Sequence, residues 1–155
     1  MLGLGKKPKQ ATPSQVVRGG SFKGIDLRGE NLRDKDLRNT DLSGAYLYAA
    51  DLTGANLSGA NLSCANLQDA ILVNTNLNQT NLEGSDLRGA NLNGANLQRS
   101  YCKGVNFHRA QVSDLQLAQA GDLRGATFPW GLVAGPRILG AFYTNYDRGP
   151  QRQET

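Results

Sequence analysis

Histidine occurs once in this 155-residue chain, cysteine twice, and tryptophan and methionine once each. With His108 as the sole imidazole, neither a histidine-built metal cluster nor a histidine pair can be assembled, and its neighbours offer it no nucleophile to activate. No phosphate loop, zinc-ligand spacing or Gly-x-Ser-x-Gly elbow occurs. The expectation is a protein with no catalytic residue, no metal and no cofactor. Cys64 and Cys102 fall at different places of the pattern described below and are expected to stay unpaired. Two thiols and no visible export signal point to a reducing cytoplasm, because Met1 to Gly5 is too short for a signal core and its lysines follow rather than precede it. Long apolar runs are missing too. Residues 132–146 hold seven large apolar side chains but are broken by Gly135, Pro136, Arg137 and Gly140, so no transmembrane segment is expected.

What the chain has instead is a five-residue sentence: Asp41-Leu42-Ser43-Gly44-Ala45, Asp51-Leu52-Thr53-Gly54-Ala55, Asn91-Leu92-Asn93-Gly94-Ala95. Its centres run in steps of five from Phe22 to Leu117, twenty in all; sixteen are leucine, the others being Phe22, Cys102, Phe107 and Val112. The residue two before the centre is small in fifteen units, and the one directly before it is Asp or Asn in fourteen, so the order is not chance. A helix needs apolar residues three and four apart, and a flat strand needs alternation; a period of five fits neither. The small residue and the leucine lie two apart on one side of a short extended segment, with the Asp or Asn between them on the other. Two outward positions then follow in a row, so the chain must bend once per unit. Glycine holds the second of these positions in nine units, where a tight bend can require positive φ. The chain is therefore read as a solenoid, with Asp and Asn hydrogen-bonding the local turns.

These units resemble the A-(D/N)-L-x-x repeats of the pentapeptide-repeat family, and the Gly125-Ala126-Thr127-Phe128-Pro129 exit is similar to cyanobacterial members. The resemblance implies an all-β fold: a right-handed four-sided parallel β-helix of about five coils, twenty residues per coil, with short capping segments. It further implies inner columns such as Phe22, Leu42, Leu62, Leu82, Cys102 and Leu32, Leu52, Leu72, Leu92, Val112. Characterised members act by contacting other proteins, so the role it implies is a non-catalytic interaction or scaffold module. An alternative from the same family is regulation of gyrase by imitating DNA.

The net charge of +4 belongs to the ends of the chain. Residues 20–128 hold ten Lys or Arg against eleven Asp or Glu, a formal −1, which gives little support to a strongly negative DNA mimic. Residues 1–19 are expected to be a flexible basic lead, with Pro13 after Thr12 opening a helical turn that lays Val16 and Val17 on the first coil. Nucleic-acid or membrane contact through Lys6, Lys7 and Lys9 is a second alternative, but three lysines without aromatics fit a solvated tail better, and no specific nucleic acid is expected. Glu30 and Lys35 occupy inward places in the first coil, where either water or mutual pairing must compensate them.

Candidate contacts are the apolar departures from a polar exterior. Tyr46 and Tyr48 in one unit, with Ile71 and Val73 in another, are expected to form a protein-contact region; the alternative account of the tyrosines is structural, the Arg28 guanidinium stacked on the Tyr48 ring. After Leu117 the next centre is Leu123, six residues on, which predicts a bulge or small loop on the last coil. Residues 129–155 are read as a C-terminal apolar cap, Trp130, Ile138, Leu139, Phe142 and Tyr143 either closing the rod's open end or joining two copies as a homodimer.

Overall fold

The computed structural model describes residues 12–131 and Val133. The units centred from Phe22 to Phe107 make the expected bend. The leucine carbonyl accepts from the N–H three residues on, as Leu42 O does from Ala45 N at 3.0 Å. The second residue after the leucine has φ between 54° and 72° in every unit from Gly24 to Arg109. A hydrogen-bonded turn with a left-handed third residue has the pattern of a type II turn. Glycine was the expected occupant, yet Ala49, Arg99 and Arg109 adopt the same conformation. The ladder imposes it: Ala49 N donates to Gln68 O at 2.9 Å and Arg109 N to Pro129 O at 2.9 Å, so neighbouring coils fix the bend. Glycine lets the preceding coil lean in: a Cβ at Gly54 or Gly94 would meet the side-chain oxygen of Asp34 or Asn74, which would have to swing aside.

Parallel bridges join residues twenty apart, from Ser21–Asp41 to Asn91–Gln111. Four bends per twenty residues give the coil four sides. The first side carries the bridges from Ser21 through Asp41, Asn61 and Asn81 to Tyr101. The second runs from Asp26 through Tyr46, Asn66 and Asp86 to Asn106, the third from Asn31 through Asp51, Ile71 and Asn91 to Gln111, and the fourth from Asp36 through Asn56 and Asn76 to Asn96. Inside, the leucines from Leu27 to Leu97 are fully buried and stack in the expected columns, whose ends, Phe22 and Val112, are only partly covered. Burial stabilises by roughly 1.5–3 kcal/mol per leucine. Alanines beside them let the walls close. Thr75 and Thr80 fill the same places and send their buried hydroxyls to Leu52 O and Leu57 O, both at 2.8 Å; the buried Ser85 Oγ has no hydrogen-bond partner among the described residues.

Each Asp or Asn before a centre from Asp26 to Asn106 accepts from the N–H two residues on, as Asn61 Oδ1 does from Ser63 N at 3.1 Å and Asn96 Oδ1 from Gln98 N at 2.9 Å. Their turn-binding role is thus a property of the repeat.

At the N-terminal end a 3-10 turn, Pro13–Gln15, is closed by the Gln15 side chain accepting from Thr12 N at 2.9 Å. Val16 is buried against the core, while Val17 stays exposed. Glu30 and Lys35 are half-buried, and no ion pair joins them among the described residues; at an end coil their charged tips reach water.

The last coil contains the expected bulge. Gly121 N donates to Ser100 O and Asp122 O accepts from Cys102 N, both at 2.8 Å, so two residues oppose Tyr101 alone. Just before it lies a helix the pentad pattern did not predict, α1, Asp114–Ala118. Ser113 Oγ accepts from Gln116 N at 3.2 Å, and Gln116 Oε1 from Ser113 N at 2.9 Å. Leu115 stands in the inward small place of its unit but is carried out by the helix and is 58% exposed. Leu117 keeps its buried place.

Candidate functional site

The four expected contact residues divide between two sides of the rod. Tyr46 and Tyr48 point out from the second side, Ile71 from the third, one coil further on; Val73, also on the third side, is half-buried. A corner of the coil divides them, so they do not share one plane. At Tyr46, Ile71 and Tyr101 the usual Asp or Asn is replaced, so the side-chain bond to the turn is absent and a large apolar group is 42%, 39% and 57% exposed.

Arg28 does not stack on Tyr48. Its guanidinium carbon lies 6.0 Å over the ring of Tyr46. Asp26 and Arg28 flank Leu27 on the same outward face, and Asp26 draws the guanidinium back along the strand, Nε to Oδ1 at 2.8 Å and Nη2 to Oδ2 at 2.6 Å. That carries the charge under the column containing Tyr46. The Asp-Leu-Arg spelling makes the same fork at Asp36–Arg38, Asp86–Arg88 and Asp122–Arg124. The Arg38 hydrogen bond holds the Asp36 carboxyl at about 2, and Asp26 and Asp122 are lowered for the same reason. Between Arg38 and Arg88 the sequence has no cation at all.

At the C-terminal end Trp130 stacks on buried Phe128 with ring centroids 5.1 Å apart and remains 52% exposed. Val133 runs back antiparallel to Thr127. Ile138, Leu139, Phe142 and Tyr143 lie outside the described residues, as do Lys6, Lys7 and Lys9. Cys64 and Cys102 are both free thiols, Cys64 at an exposed corner and Cys102 in the core, where burial pushes its thiol up to about 12.

His108 is half-buried on the second side, its N–H bound to Asn106 Oδ1 at 3.0 Å. With Gln68, Asp69, Arg88, Gly89 and Arg109 it lines an open cavity of about 370 Å³. Sequence reasoning did not find this cavity, since its walls come from residues twenty apart. Among the described residues no group of His, Cys, Asp and Glu is placed to hold a metal ion, and no helix is long and apolar enough to cross a membrane.

The family described as pentapeptide repeats, in eight copies, matches residues 21–59, 60–99 and 85–120. Among solved structures, a pentapeptide repeat protein of Nostoc PCC 7120 is similar at 32% identity and TM-score 0.61, over 74% of this chain and 98% of that one. Another, from the cyanobacterium Cyanothece 51142, is similar at 30% identity and TM-score 0.59, over 59% of this chain and 76% of that one. A search of curated proteins finds no match. Such proteins form right-handed quadrilateral β-helices, in keeping with the twenty-residue ladder and four bends per coil seen here. From the repeat, the ladder and these likenesses together, the chain belongs to the pentapeptide-repeat family.

Proposed function

We propose that this protein is a non-catalytic interaction module: a rod of about five coils over residues 20–128 that binds another protein through the corner carrying Tyr46, Tyr48, Ile71 and Val73. The observation that carries the reading is the exchange at Tyr46 and Ile71. An Asp or Asn there would add a hydrogen bond to the turn, worth about 1 kcal/mol, and keep the surface polar. Arg28 over the Tyr46 ring offsets part of that loss at one of the two places; a partner surface accounts for both exposed side chains, since aromatic anchors dominate protein contacts. Membership of a family of repeat proteins suited to interaction supports the same reading. We place its work in a reducing compartment, the cytoplasm, where Cys64 and Cys102 remain thiols.

The test restores the repeat. Tyr46→Asn with Ile71→Asn is expected to leave the melting temperature unchanged or higher while weakening partner capture from the native source. A double variant that captures the same partner at wild-type affinity removes this corner from consideration. We further propose that the segment from Trp130 onward closes the last coil or joins two copies. Light scattering on the intact chain separates the two, and a chain cut before Pro129 that stays soluble, monomeric and equally stable refutes both.

A further inference from the structure

The cavity on the second side is not explained by the repeat. Three successive coils line it, each giving the two residues after its centre: Gln68 and Asp69, Arg88 and Gly89, His108 and Arg109. Gly89 supplies no side chain between its column neighbours Asp69 and Arg109, and the Asp69 carboxylate leans over it, Oδ1 standing where a Gly89 Cβ would be. Arg88 is already engaged. It forks Asp86 through Nη2 at 2.6 Å and Nε at 2.9 Å, and with the Gln68 amide oxygen turned toward it donates a further bond from Nη2 at 2.8 Å. Arg109 stands apart from this network. The ion pairs among the described residues engage Arg18, Lys23, Arg28, Arg33, Arg38, Arg88, Lys103 and Arg124, and not Arg109. Asp69 is likewise absent from these ion pairs, and none joins it to Arg109. An unpaired guanidinium next to the chain's only imidazole, in a cavity wide enough for a small molecule, is a group awaiting acceptor oxygens.

We propose that this cavity binds an oxyanion, carboxylate or phosphate, held by the Arg109 guanidinium and the His108 imidazole, with Asp69 accepting from a hydrogen-bond donor on the same ligand. Planar guanidinium meets both kinds of anion through two parallel N–H bonds, so the geometry selects the class. The site does not depend on the Tyr46 corner being a protein contact.

Because His108 is the only histidine, its ring protons are a single reporter. Sodium acetate and inorganic phosphate, each titrated into the full chain at constant ionic strength, are expected to move that signal along a saturating curve for at least one anion. Saturation by phosphate alone assigns a phosphorylated ligand; saturation by acetate, with or without phosphate, assigns a carboxylate. Arg109→Gln is expected to weaken the binding about tenfold or more, the loss of one charge-assisted contact. Arg99→Gln, which removes an equally unpaired arginine on the fourth side, is expected to leave it unchanged. A His108 signal that does not saturate with either anion, or that saturates equally in the Arg109 variant, overturns the site.

Discussion

Residues 21–40 and residues 41–80 make the same bends and the same ladders, yet different chemistry fills them. The first stretch carries nine charged side chains, four of them in the Asp26–Arg28 and Asp36–Arg38 forks; the second carries only Asp41, Asp51 and Asp69 and no cation. Inside, the first coil holds Ile25, Glu30 and Lys35 where the next coil holds Ala45, Ala50 and Ala55. Position along the rod explains the contrast. The described cap over the first coil is one short turn, so a long side chain entering the core can still carry its charge to water. A middle coil is covered on both faces, and its inward place admits only what fits between leucines without a charge.

Moving a first-coil residue inward is the most severe way to break this comparison. Lys35 and Ala55 occupy the same column one coil apart; Ala55→Lys is expected to cost about 3–5 kcal/mol or prevent folding, as an unpaired buried charge does, whereas Lys35→Ala is expected to be near neutral. Equal stability of the two variants in urea would mean that the coils do not differ in water access. Leucine truncation ranks next. Leu77→Ala, at a fully buried centre, is expected to cost about 2–5 kcal/mol, and the neighbouring outward Asn78→Ala under about 0.5 kcal/mol. Similar losses for both would overturn the inward register.

A smaller effect of opposite sign is expected at Ser85. Its column places alanine at Ala45 and Ala65, and its hydroxyl is buried without a partner; Ser85→Ala is expected to raise stability by about 1 kcal/mol. A less stable variant would show that the hydroxyl is bound after all. The mildest probe is acid. Arg38 lowers the folded-state Asp36 carboxyl from its ordinary 3.8 to about 2, so its contribution is complete above pH 3.8 and is lost as pH falls through about 2. Asp26 is lowered by Arg28 in the same direction. Amide protection in residues 21–40, taken against the intrinsic exchange rate at each pH, is therefore expected to fall between pH 4 and 2 before protection at Leu57, Leu62 or Leu67. Simultaneous loss of protection along the rod would show that the forks do not hold the first coil.

A period of five already determines that a bend follows every centre, that Leu42 or Leu77 faces inward, and that the Asp or Asn before it serves the turn, because these depend on side-chain alternation and bonds within a few residues. The bulge near Gly121 was legible for the same reason, as one residue too many between two centres. α1 was spelled locally as well, by Ser113 and Gln116, but the pentad rhythm masked that capping signal. Tertiary structure alone decided the rest. Twenty residues must close a circuit before Asp26 lies beside Tyr46 or Gln68 beside Arg88, and no local rule states how many bends complete it. Ladder bonds such as Leu47 N to Asn66 O at 2.7 Å fix that number. They also hold Ala49 and Arg109 at a positive φ that their own side chains disfavour, split Tyr46 from Ile71 around a corner, and gather Asp69, Arg88, His108 and Arg109 around one cavity.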